Sequence, residues 1–127
     1  SVTGVQTCAL PISVKDTLVL GGDIHSFWAS DLRRDFTGPG PIVATEFVGG
    51  SITSQGPSAD RVKAMLAKNP HLRYGRSGVY GYGLAALAPK GASVDFRSVA
   101  TIKEATSSIS TLARFAVEAG KPGVQSA

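Results

Sequence analysis

The chain has 127 residues, a formal net charge of +4 and 43% hydrophobic residues, enough for the core of one domain or of part of one. No apolar run reaches the roughly 18 residues of a membrane-spanning helix. Its cations are scattered, without the basic stripe and interleaved aromatics of a nucleic-acid surface, so no specific binding to nucleic acid is expected and at most a weak pull on small anions remains.

The opening stretch SVTGVQTCALPIS, residues 1–13, is uncharged, has no clear period and holds the one cysteine, Cys8. It lacks the basic start and apolar centre of a signal peptide. Val2 to Ile12 resembles the conceptual translation of a short-read sequencing adaptor. Residues 1–13 are therefore expected to be a non-native, loosely attached segment, which removes Cys8 from any argument about redox compartment.

From Val14 to Gly22 the pattern predicts a buried strand ending at Gly21-Gly22. FWASDL, Phe27 to Leu32, fits a short strand or a turn of helix. RRDFTGPGP reads as a loop, because Gly38-Pro39-Gly40-Pro41 forbids regular structure. IVATEFV, Ile42 to Val48, is β-branched and aromatic and predicts a strand, followed by Gly49-Gly50 and the hydroxyl-rich loop SITSQGPS. The clearest helix spans about 59–68. Ser58 is its N-cap, Asp60 lies in the first turn, and Val62, Met65 and Leu66 form an apolar stripe. Lys63 and Lys68 fall late, where cations suit the helix dipole, and Asn69-Pro70 ends it. HLRYGRSG reads as a loop. Val79 to Ala88 and Ala92 to Ile102 form a hairpin about Pro89-Lys90-Gly91, Thr111 to Glu118 a last strand, and GKPGVQSA a frayed tail. The class is α/β: a β-rich segment with one helix, too short to be a complete sandwich.

The chemistry concentrates where the first strand ends. Gly21-Gly22 permits unusual backbone angles and close approach, and Asp23 and His25 follow with one residue between them. An Asp-x-His pair at the carboxyl end of a strand can direct an oxygen and a nitrogen ligand toward metal ions, the carboxylate suiting a hard cation and the imidazole iron or zinc. The plain structural alternative is that Asp23 caps a turn and His25 bonds a carbonyl.

Three blocks widen the context: GGDIHSFWASDL, VATEFVGGSITSQG and NPHLRYGRSGVYGYG. In this order and spacing they resemble the C-terminal third of the PhoD-type alkaline phosphatases, a likeness running from about Val14 to Val124. The resemblance implies that residues 14–127 are the C-terminal part of a metallophosphoesterase domain, an α/β/β/α sandwich with iron and calcium at its strand ends. It implies hydrolysis of small-molecule phosphate monoesters and diesters by a bimetal-activated water, in a secreted, periplasmic or cell-surface protein. The wider superfamily carries a Gly-His-x-His loop where this chain has Gly22-Asp23-Ile24-His25. By this resemblance Asp23 would ligate calcium and His25 iron. The family's other ligands lie upstream, so the expected partner is the missing N-terminal part of the same domain, and the fragment alone is expected to be inactive.

Other candidates are weaker. Ser51, Ser54 and Arg73 are candidate substrate contacts, against the commoner roles of turn hydroxyls and a solvated arginine. Trp28 reads as core, His71 as a structural histidine, and Tyr74, Tyr80 and Tyr82 as hairpin packing. The competing function is a non-catalytic β-rich ligand-binding module.

Overall fold

The computed structural model describes residues 14–127, so the segment read as adaptor-derived lies outside the described residues. The elements in order are β1 (Thr17–Gly21), β2 (Phe27–Arg33), β3 (Ile42–Val48), α1 (Ala59–Lys68), β4 (Leu72–Arg76), β5 (Tyr80–Ala88), β6 (Gly91–Val99), β7 (Ile109–Glu118) and β8 (Lys121–Ser126). They form two four-stranded sheets, ordered β1-β3-β2-β4 and β5-β6-β7-β8. In the first, β1 runs parallel to β3, with Leu18 opposite Thr45, while β2 is antiparallel to both β3 and β4. The second is an antiparallel meander.

Period-two alternation sets the layers. Along β2, Phe27 and Ala29 face the second sheet, where they meet Val94, Phe96, Phe115 and Val117. Trp28 points the other way, joining Val48 and the α1 stripe of Val62, Met65 and Leu66. The result is helix on sheet on sheet. Phe96 is fully buried at the centre of the inter-sheet core, with ring centroids 5.0 Å from Phe27, 5.4 Å from Phe115 and 5.9 Å from Tyr74. Edge-on and tilted pairs of this kind contribute about 0.5–1.5 kcal/mol each beyond their buried area. The helix begins as its sequence dictates, Ser58 Oγ accepting from the Arg61 N–H, and Asn69 Nδ2 donates to the Met65 carbonyl at its end.

Several expectations from the sequence are corrected. The first strand, expected to be buried, is half-buried to exposed along its length, because it stands at the edge of its sheet. HLRYGRSG is not simply a loop, since Leu72–Arg76 forms β4 and pairs with β2. Its Gly75 lacks a side chain because Trp28 lies there: a β-carbon would sit 2.6 Å from the indole. Tyr74 consequently packs from β4 against Phe96 and Phe115, not within the hairpin. The tail is not frayed either. Lys121–Ser126 is β8, paired to β7 and tied to the first sheet. Neighbouring Asp31 and Thr45 hold it: the Val124 N–H donates to Asp31 Oδ1 at 2.7 Å and the Gly123 N–H to Thr45 Oγ1 at 2.8 Å. Both side chains are buried, so these bonds satisfy polar groups that would otherwise be stranded. The ambiguous stretch from Phe27 resolves as strand.

Candidate functional site

The site loop follows the carboxyl end of β1, and the loop after β3 lies beside it. The Gly49 N–H donates to the Gly21 carbonyl at 3.0 Å, so the parallel strands are still tied where their loops begin. This is the place where open α/β sheets hold ligands. Beyond Gly22 the chain turns sharply. The Ile24 N–H donates to the Gly22 carbonyl at 2.9 Å around Asp23, whose φ is +73°. That is a γ-turn with positive φ at its centre, the rare and strained form.

His25 is also left-handed, with φ +57°. Asp and His are among the non-glycine residues that enter this region most readily, yet strain of this kind persists only where the surroundings impose it. The imposing contacts are visible. Ser26 is fully buried, donates to the Ile24 carbonyl at 3.4 Å and accepts from Trp28 Nε1 at 2.7 Å, which fastens the loop's end to the core beneath α1. Fixed at both ends, the loop leaves Asp23 and His25 exposed between them.

His25 Nδ1 bonds to the Gln55 carbonyl at 3.1 Å. A carbonyl can only accept, so Nδ1 carries the proton, and in the neutral ring Nε2 keeps its lone pair. A ligating histidine is ordinarily held this way, its other nitrogen donating to a carbonyl or carboxylate. Asp23 has no hydrogen-bond or ion-pair partner among the described residues. The donor set therefore fits a bimetal loop: a free carboxylate for a hard ion and an oriented imidazole nitrogen for a softer one. It is not a complete centre, for no group of three or more His, Cys, Asp or Glu side chains suited to a metal occurs among the described residues.

A cavity of about 240 Å³ opens beside the loop, lined by His25, Ser54, Gln55, Ser58, Ser77 and Tyr80 among others. Ser54 thus shares a cavity with His25. Ser51 Oγ accepts from the Ser54 N–H at 2.6 Å and braces the loop. Arg73, exposed on β4, lies 3.8 Å from buried Asp31 and does not line this cavity. His71 stacks edge-on against Phe36, with centroids 4.7 Å apart, and Trp28 is core. The sequence singles out none of Gln55, Gly56 and Ser77, and it assigns Tyr80 to hairpin packing rather than to the site. Their nearness to His25 arises from a loop contact 30 residues away, which local pattern does not encode.

Comparison with known proteins gives the family. The PhoD-like phosphatase family model matches residues 8–96, starting within the segment read as adaptor-derived. The chain belongs to the PhoD-like phosphatase family. Alkaline phosphatase D of Bacillus subtilis (strain 168) is 33% identical over 117 residues, covering 89% of this chain and 20% of that protein. The solved structure of PhoD superposes with a TM-score of 0.83 at 32% identity, over 96% of this chain and 24% of that one. This PhoD-like chain thus spans about a fifth of the length of the curated relative it matches.

Proposed function

We propose that this PhoD-like chain supplies the final metal-binding loop of a metal-dependent phosphatase that hydrolyses phosphate monoesters and diesters. The carrying observation is His25: strained, exposed, and protonated at Nδ1 by its bond to Gln55, so that Nε2 is the nitrogen left to ligate. In this reading His25 holds iron and Asp23 holds calcium. When bound, such a pair lowers the pKa of a water and neutralises phosphate oxygens during in-line attack.

The chain's own residues do the positioning. Asp23, in its γ-turn, presents a carboxylate with no partner among the described residues. His25 contributes a nitrogen whose ring rotation is fixed through Gln55. Ser54, Ser77 and Tyr80 line the adjoining cavity, and in this reading their hydroxyls supply donors to an ester oxygen. Two ligands do not hold two ions, so the remaining ligands come from beyond residues 14–127. In this reading they arrive with the rest of an α/β/β/α sandwich docked along β1, which stands at the edge of its sheet with Leu20 exposed. Calcium supply fits an exported protein, secreted, periplasmic or on the cell surface. Among the described residues no helix is long and apolar enough to cross a membrane.

The test uses a protein of full family length carrying this segment, with chromogenic phosphate monoester and diester substrates. His25→Ala and Asp23→Asn should each lower kcat at least 100-fold while leaving the fold intact, and His25→Ala should also lose bound iron. Full turnover by both variants would refute the reading and favour the ligand-binding module.

A further inference from the structure

On the reading of His25 as a metal ligand, the loop after β3 acquires a role of its own. Residues 49–57 touch His25 twice, through different atoms. The Gln55 carbonyl accepts from the imidazole at 3.1 Å. Gly56 lies so close to the main chain that a β-carbon there would overlap the His25 carbonyl oxygen and stand 3.0 Å from its carbon. Those are backbone atoms, so rotating a side chain could not relieve the clash. Either the loop or the His25 turn would have to move.

The two contacts restrain different freedoms. The Gln55 carbonyl fixes ring rotation and the nitrogen that carries the proton. Gly56 fixes the backbone that bears the ring, which sits at φ +57°. The restraining loop is itself anchored: the Ser54 N–H donates to Ser51 Oγ, and the Ser51 carbonyl accepts from the Gly81 N–H of β5 at 2.9 Å. Beyond it the capped first turn of α1 begins. We infer that Gln55 and Gly56 are positioning residues for His25, holding its ring as the Nδ1–H tautomer so that Nε2 is the one nitrogen with a free lone pair. Partners that orient a ligating histidine in this way ordinarily alter metal affinity 10- to 100-fold when disturbed.

The test is made on the 127-residue chain with ¹⁵N-labelled imidazoles at about pH 8, above the ordinary imidazole range. Long-range ¹H–¹⁵N correlation spectra report which ring nitrogen carries the proton, and His71, the only other histidine, serves as internal reference. Wild-type His25 should show the single Nδ1–H tautomer. Gly56→Ala should replace it with a mixture, whereas Gly38→Ala, whose added carbon meets nothing within 4 Å, should not. Zn²⁺ titration should perturb Nε2 in the wild type, with apparent affinity falling about 10-fold or more in Gly56→Ala. A wild-type His25 in the Nε2–H form favoured by an unrestrained ring overturns the inference. Gly56→Ala keeping both the Nδ1–H tautomer and its Zn²⁺ affinity overturns it equally. If Gly56→Ala unfolds the chain, the wild-type tautomer decides alone. A wild-type Nδ1–H tautomer with no Zn²⁺ response at Nε2 upholds the positioning and sinks the metal reading, so the two failures are separable.

Discussion

Replacing His25 with glycine should leave the chain more stable than replacing it with alanine, the reverse of the usual order. Both variants lose the imidazole and its bond to Gln55, so the comparison isolates the backbone. At φ +57° an L-residue sits in the left-handed region, which costs it roughly 1–2 kcal/mol relative to glycine. Glycine's greater freedom in the unfolded chain takes back about 0.4–1 kcal/mol. The difference is about 0.5–1 kcal/mol in favour of glycine, a change in melting temperature of roughly 4 °C for a domain of this size. Urea unfolding, with an m-value of about 1–3 kcal/mol/M, resolves it as a midpoint shift of a few tenths molar. Gly22 supplies a control of opposite sign: it has open space and no positive φ, so Gly22→Ala should stabilise by about 0.4–1 kcal/mol. A His25→Ala chain as stable as His25→Gly, or more so, would mean that the ligand loop is not strained. Its geometry would then not be one imposed for function.

Phe96→Ala should destabilise by about 3–5 kcal/mol in urea titration, since it empties the fully buried centre of the inter-sheet core. Thr45→Val should lose about 1–2 kcal/mol and Asp31→Ala about 1–3 kcal/mol, each stranding a β8 N–H. Hydrogen exchange should show the Gly123 and Val124 amides opening first in these variants. On the outer face of the second sheet, the paired hydrogen bonds from Arg114 hold the Asp95 carboxyl below its ordinary value of 3.8. A depressed carboxylate stabilises fully above its unfolded value and loses that contribution as pH falls through the folded one. Asp95→Asn should therefore flatten the loss of urea stability below about pH 4, and high salt should shrink the difference between variant and parent.

Most of the architecture was legible because periodicity reports burial. The α1 stripe, its Ser58 cap and the Asn69-Pro70 stop are local signals, and the helix runs over the expected residues. The hairpin of β5 and β6 is likewise announced by two apolar runs around a turn. The errors fell where tertiary contact overrides local sequence. In Leu72–Arg76 two arginines and a glycine hide a strand whose Gly75 exists to admit the Trp28 indole. The tail reads as polar and glycine-rich, yet it becomes β8 because Asp31 and Thr45, far away in sequence, accept its amides. At the site, the Gly-Gly-Asp-x-His spacing pointed to the loop but not to its strained backbone or its Gln55 partner. Those depend on where the loop after β3 comes to rest.

The central claim is that Asp23 and His25 ligate metal, and anomalous scattering tests it most directly. Crystals of a full-length family member carrying residues 14–127, measured at the iron edge, should show a peak about 2.0–2.1 Å from His25 Nε2, the distance of a transition metal from an imidazole nitrogen. A second, harder ion should lie about 2.3–2.6 Å from an Asp23 carboxylate oxygen. Metal bound elsewhere in the protein, with His25 and Asp23 both outside coordinating distance, would contradict the assignment.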